Sequence, residues 1–212
     1  MPFDFRTALQ IFVPLLLSLS VHEWAHAWSA FKLGDDTAAR MGRLTLNPLA
    51  HIDLLGTVVL PLLGIPFGWA KPVPVNPTRF RRGVGMGTGM AITASAGPIS
   101  NVLLAVLCTL LLGLVQRLAP QAAWGPPAQQ LLAITITINV GLALFNLIPV
   151  PPLDGSRIVD GLMPFRFRPQ WDAFTRVAPV LLIAIFFFGG RLIAGPRRLF
   201  LDLLQRLLDA IT

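Results

Sequence analysis

His22-Glu23-Trp24-Ala25-His26 stands directly after the mostly apolar run 11–21, and this placement decides how the rest of the chain is read. On a helix, residues four apart share a face about one turn from each other, so His22 and His26 can aim ring nitrogens at one metal ion. Glu23, beside the first of them, is near enough to hold a water at that ion and take its proton, the part of a general base in metal-assisted hydrolysis. Single histidines on apolar faces are most often hydrogen-bonded interior residues. Here two imidazoles, a glutamate and an apolar setting coincide, and average composition yields a chance H-E-x-x-H in about one chain of this length in a hundred or fewer.

Two histidines do not complete such a site. Catalytic zinc commonly takes three protein ligands, and two histidines with one carboxylate are a frequent set in peptide hydrolysis. The acid expected to join them is Asp154, in the stretch Asn146-Leu147-Ile148-Pro149-Val150-Pro151-Pro152-Leu153-Asp154-Gly155 that follows a second apolar segment. Asp and Glu total only 10, and Asp4, Asp35, Asp36, Asp160, Asp172, Asp202 and Asp209 fall in tails, polar connections or a terminal helix. Asp53 is the one serious rival. An ionisable group at membrane depth costs roughly 2.5–3.5 kcal/mol or more unless it is paired or bound to an ion. Zinc would remove that penalty for Asp154.

Composition sets the medium. The chain is 54% hydrophobic and 13% charged, with a mean hydropathy of +0.69 and several long apolar runs, as expected of an integral membrane protein. The net charge of +7 is spread over connections between spans and forms no stripe with interleaved aromatics, so membrane topology explains it better than nucleic acid. The single cysteine, Cys108, lies within an apolar run, which excludes an intramolecular disulfide and points to core packing. Residues 9–20 lack the basic approach and small-residue cleavage site of a signal peptide, and are read as part of the helix that carries the histidines.

The expected fold is an all-α polytopic bundle of about four to five transmembrane helices, at 7–32, 89–118, 128–148 and 177–193, with 52–65 crossing or re-entering. That segment holds Gly56, Pro61 and Gly64 and is short for a full span, which favours re-entry. Residues 67–82, with Pro72, Pro74 and Pro77, cannot be a regular helix and read as extended backbone or turns. Basic residues between the first span and residue 89, against an uncharged 119–127, put the latter outside. Residues 1–195 read as the transmembrane unit and 196–212 as an interfacial amphipathic helix, with Arg198, Asp202, Gln205, Arg206 and Asp209 on one face and Leu199, Leu203, Leu207 and Ile211 on another. His51 and Asp53 form a second polar pair, for which loop-fixing hydrogen bonds are favoured over a second metal. Trp24, Trp28, Trp69 and Trp124 read as packing or interface residues.

The metal-binding stretch, Phe145-Asn146-Leu147-Ile148-Pro149 and Leu153-Asp154-Gly155 together resemble the site-2 protease family of intramembrane zinc metalloproteases. Asn47-Pro48-Leu49-Ala50-His51-Ile52-Asp53, Gly68-Trp69-Ala70-Lys71-Pro72-Val73-Pro74 and Ala96-Gly97-Pro98 resemble a compact prokaryotic branch. The resemblance implies that His22, His26 and Asp154 bind one zinc ion per chain, that Glu23 activates water, and that Asn146 holds substrate or stabilises the oxyanion. Asn146 read from its own surroundings has an equal alternative, satisfying backbone opened by Pro149, Pro151 and Pro152. The resemblance also implies a membrane-spanning protein substrate and a multi-pass place in a prokaryotic inner membrane. The sequence leaves no room for a PDZ domain between its spans and shows no nucleotide-sensing domain after them, so substrate choice is expected to fall to the spans or to a separate partner, and the oligomeric state is unread. The rival from another class is a membrane zinc carrier or sensor with the same ligands. It leaves Glu23 without a role, and 102–115 and 177–188 offer almost no polar path.

Overall fold

The computed structural model describes residues 5–59 and 69–212. Among them every regular element is helical: α1 Phe5–Lys32, α2 Thr37–Arg40, α3 Met86–Leu118, α4 Gly125–Asn146, α5 Asp154–Leu162, α6 Arg168–Leu192 and α7 Ala194–Ile211, with short 3-10 turns at Pro48–Ala50, Pro77–Arg79 and Phe165–Phe167. Two of these, α3 and α4, are long and apolar enough by length and composition to cross a membrane. The all-helical expectation therefore holds, and the larger number of spans is taken up below as a proposal. Of the segment read as re-entrant, Leu54–Val59 forms a π-type turn, and 60–65 lie outside the described residues.

The bundle is organised around α3, which packs on α1, α4, α5 and α7. Gln130 Nε2 lies 3.3 Å from Gln10 Oε1 and Asn139 Nδ2 lies 2.8 Å from Ser18 Oγ, so α1 and α4 run side by side in the same direction. Pro14 sits inside α1 and removes one backbone donor; Ser18 Oγ donates back to the Pro14 carbonyl at 2.6 Å. The helix stops at Gly34, whose φ of +109° is a conformation that side-chain-bearing residues avoid. Gly34 N–H bonds Phe31 O at 3.0 Å and Asp35 N–H bonds Ala30 O at 2.9 Å, the paired closure of a Schellman C-terminus.

Asp35 behaves differently from the sequence expectation. It does lie in a polar connection, yet it is only 1% exposed, because its carboxylate accepts from the Thr37 N–H at 3.0 Å and from the Asn76 N–H at 2.6 Å. Its neighbour Asp36 bridges Arg40 and Arg79. Desolvation acts to raise the Asp36 carboxyl, but the Arg40 hydrogen bond and the Arg40 and Arg79 charges outweigh it and hold it below the usual carboxylate range.

Residues 69–76 are extended without forming a strand ladder. Their backbone is tied down from three sides: Lys71 N–H to His51 O at 2.9 Å, Val73 N–H to Glu23 Oε2 at 2.8 Å, and Arg43 Nη2 to Lys71 O at 2.5 Å. Thr57 Oγ1 donates to Trp69 O at 2.8 Å. The prolines cannot join a ladder, and the N–H groups of Lys71, Val73 and Asn76 bond the His51 carbonyl and the Glu23 and Asp35 carboxylates instead.

The C-terminal helix packs lengthwise on the apolar helices. Leu204 and Leu208 are buried with Ala105, Cys108 and Leu112 of α3 and Ile136 and Val140 of α4, and Leu201 and Ile211 flank them. Leu199 and Leu203, read from sequence as part of the apolar face, are 64% and 53% exposed. The contact stripe follows the spacing 201, 204, 208, 211.

Candidate active site

His22 and His26 lie on the buried face of α1, and Asp154 opens α5 at the end of the proline-rich connection from α4. The chain brings these three together, with ligand atoms all within 4.8 Å of one another. His22 Nε2 is 3.0 Å from His26 Nε2, and Asp154 Oδ2 lies 3.0 Å from the first and 3.3 Å from the second. Three corners of a tetrahedron with arms of about 2.0–2.1 Å stand about 3.3–3.4 Å apart, so the triangle has the dimensions of a zinc ligand set.

The tautomers support the same fit. His26 Nδ1 is 2.7 Å from the Thr93 carbonyl, which can only accept, so Nδ1 carries a proton and, in the neutral ring, Nε2 offers its lone pair to a metal. For His22 the assignment runs through a buried chain of amides. The Pro14 carbonyl accepts from Ser18 Oγ, which accepts in turn from Asn139 Nδ2. Asn139 Oδ1 accepts from Asn101 Nδ2 at 2.7 Å, leaving Asn101 Oδ1 to accept from His22 Nδ1–H at 2.6 Å. In their neutral forms the two rings therefore turn Nε2 lone pairs toward each other and toward an Asp154 oxygen that has no other hydrogen-bond partner. A proton could bridge only one pair of these atoms; a divalent cation satisfies all three.

Space is reserved at this point. A Cβ built on Gly97 of α3 would stand 2.6 Å from His22 Nε2 and closer still to His26 Nε2. Only glycine lets α3 lie against the imidazoles without filling the position between them. Pro98 follows inside the same helix.

Glu23 lines the cavity beside the histidines and is half-buried. Its Oε2 accepts the Val73 N–H, which fixes the carboxylate against the extended segment. Asn146, at the end of α4, lines the same cavity and donates from Nδ2 to Leu142 O at 3.0 Å. That acceptor belongs to its own helix, one turn back. The cavity measures roughly 1030 Å³ and is walled by α1, residues 69–75, α3, α4, the proline-rich connection and α6. Trp69 is part of this wall, whereas Trp24 and Trp28 stack on each other at 5.9 Å.

His51 and Asp53 make no metal group with a third residue among the described residues. His51 Nε2 donates to Thr45 O at 2.8 Å, and Asp53 Oδ1 accepts from the Leu55 and Gly56 N–H groups at 3.1 and 2.8 Å. Both fix the loop, as favoured from sequence. The sequence reading places Asn101 only at the end of a small-residue stretch and passes over Ser18, Thr93 and Asn139. The signal that would have found the two asparagines is their depth: both are 0% exposed in apolar helices, where an amide must find partners within the protein.

Residues 112–188 match the model of peptidase family M50. The chain is 44% identical over 176 residues to a Bacillus subtilis protein, YwhC, covering 82% of this chain and 78% of that one. It is 34% identical over 143 residues to Rip2 of Mycolicibacterium smegmatis and 28% over 140 residues to Rip2 of Mycobacterium tuberculosis, covering 66% of this chain and 52% of the relative in each case. All three carry the name "Putative zinc metalloprotease". No solved structure matches the chain. By this similarity, and with two histidines and an aspartate gathered as a zinc ligand set, the chain belongs to peptidase family M50, the site-2 proteases, and is an intramembrane zinc metalloprotease.

Proposed function

We propose that this protein hydrolyses peptide bonds in or beside the membrane-spanning helices of protein substrates, with His22, His26 and Asp154 holding one zinc ion and Glu23 as the general base. The observation that carries the reading is the triangle formed by the two Nε2 atoms and one Asp154 carboxylate oxygen, all about 3 Å apart and facing a cavity that also holds Glu23. Zinc bound there supplies a Lewis acid and lowers the pKa of water. The residues of the chain do the rest. Glu23, oriented by the Val73 N–H, takes the proton of the attacking water and delivers it to the leaving amine. Asn146 turns its remaining amide N–H toward the carbonyl oxygen as charge develops on it. The apolar walls from α4 and α6 keep bulk water out, which strengthens each of these interactions.

The site lies near the C-terminal end of α1, the N-terminal part of α3 and the C-terminal end of α4; in our reading it sits toward one face of a multi-pass bundle in a prokaryotic inner membrane. Residues 1–195 form the catalytic unit. A substrate helix must unwind to offer its carbonyl, and the extended segment 69–76 stands beside Glu23 to receive the opened chain. The fixed donors of Lys71 and Val73 leave it only a partial ladder to offer.

The test is to reconstitute the protein in liposomes with a panel of single-span helices containing glycine or proline, and to map product termini by mass spectrometry. Cuts within or next to the span in wild type, and none with Asp154→Asn, are expected. Cleavage confined to soluble peptides would overturn the proposed substrate class.

A further inference from the structure

Two arginines face the catalytic cavity without an acid to balance them. Arg157 lies three residues beyond Asp154 on α5, and residues at this spacing are neighbours on one helix face, so it stands about one turn from the proposed zinc ligand. Arg197 comes from α7, one turn after Ile193, which belongs with Phe145 and Leu153 to the apolar cluster around Ile148 and Val150. Both arginines line the cavity that holds His22, Glu23 and His26.

The acids of the cavity are engaged elsewhere. Glu23 and Asp154 are the only carboxylates among its lining residues; the first accepts the Val73 N–H, and the second faces the two imidazoles. Neither arginine forms an ion pair among the described residues, whereas Arg168 closes on Asp160 at 2.6 Å. The Arg197 Nε is shut off from solvent and finds no acceptor, although a buried donor is costly to leave unpaired. Nor do these two residues serve their own helices. Each falls in the first turn, where a cation opposes the helix dipole. Unbalanced charge at membrane depth points to a partner that comes from outside the chain.

A guanidinium binds a carboxylate through paired, charge-assisted hydrogen bonds, and two cations from separate helices lining one cavity favour an anion inside it. We propose that Arg157 and Arg197 are specificity-determining residues that bind an Asp or Glu side chain of the substrate and so position the neighbouring peptide bond beside Glu23. An extended chain advances about 3.3 Å per residue, so a carboxylate about two to four residues from the scissile bond comes within reach of the pair. The preferred substrate is a span with an acidic residue close to the point where its helix opens. Such an acid is itself disfavoured in lipid and gains by entering the cavity, so recognition and unwinding act in the same direction. The inference rests on the hydrolysis of membrane-spanning substrates proposed above.

The experiment uses the full chain in phosphatidylcholine liposomes with pairs of single-span helices that carry one glycine and, about two to four residues to either side of it, Asp or Asn. Wild type is expected to favour the Asp helix at least about tenfold in kcat/KM, chiefly through KM, as one hydrogen bond to a charged group allows. Arg157→Gln and Arg197→Gln should each bring that ratio toward unity, and Lys in place of either arginine should recover part of it. Arg157→Glu should shift the preference to a helix with Lys at the same place. A purely structural role, or arginines held by lipid phosphate, would lower cutting of both helices together and leave their ratio unchanged. That result, or a wild type indifferent to the acid, would overturn the proposal. Binding of the same helices, fluorescently labelled, to Glu23→Gln gives a second reading that does not depend on turnover. An Asp helix bound about tenfold tighter there supports the pair, and equal binding overturns it. Failure of wild type to cut any helix would contradict the hydrolytic reading and leave this binding ratio to decide the role of the arginines. Bound zinc at the wild-type ratio reports an intact fold in each variant; where a Gln variant loses it, the Lys variant and the two helices on wild type decide.

Discussion

The two halves of the proposed zinc site are held by different kinds of structure. His22 and His26 project from the C-terminal half of α1 into a buried layer where Ser18, Asn101 and Asn139 hand hydrogen bonds across α1, α3 and α4. Asp154 instead opens α5 directly after the proline-rich turn that follows α4, and the backbone partner of Glu23 belongs to the extended 69–76. Irregular backbone at membrane depth is tolerated where it lines a cavity. The contrast separates two tasks: the helical half fixes the two imidazoles, and the other half brings up the carboxylate and leaves room for a substrate backbone.

Substitutions can break the two halves separately. The largest effect is expected for His26→Ala, which removes a ligand: zinc measured after gel filtration should fall to near zero, together with all cleavage. Gly97→Ala comes next. Its Cβ intrudes between the two imidazoles, so zinc content should drop sharply although no ligand is changed, and a wild-type zinc level would show that α3 can move aside. Glu23→Gln acts on the chemistry alone, lowering turnover by about 10²–10⁴-fold, as loss of a general base does, with zinc retained. Asn101→Ala leaves the ligands in place but frees His22 to rotate; loss of such an outer partner typically weakens metal affinity about 10–100-fold, read by chelator competition. The smallest effect is expected on the irregular side from Arg43→Gln, which releases the Lys71 carbonyl. It should raise KM by a few-fold, about the worth of one charge-assisted hydrogen bond partly open to water, and leave zinc affinity unchanged. If Arg43→Gln altered zinc binding as much as Asn101→Ala, the two halves would not be separable.

How far the sequence could be read follows the same division. His22, Glu23 and His26 are legible because helical spacing alone places them on one face, and Asp154 because few acids stand so deep. The all-helical fold follows from the long apolar runs. What sequence could not supply was contact between distant elements. Asn101 and Asn139 look like polar interruptions until α1, α3 and α4 are packed together, and Gly97 looks like one small residue among several. Asp35 reads as a loop acid because nothing local announces that the Asn76 N–H will come to meet it. The contacts of α7 are illegible for a related reason: Leu199, Leu203, Leu207 and Ile211 are apolar at helical spacing, but the groove between α3 and α4 takes 201, 204, 208 and 211. Periodicity finds an amphipathic helix and leaves the choice among overlapping stripes to the partner surface.

The most direct test of the central claim is zinc stoichiometry and cleavage of one glycine-containing single-span helix, measured side by side in liposomes for wild type and Glu23→Gln. One zinc per chain in both proteins, with cutting by wild type alone, is the predicted result. Equal cutting by both, or a chain that folds and cuts without zinc, would contradict it.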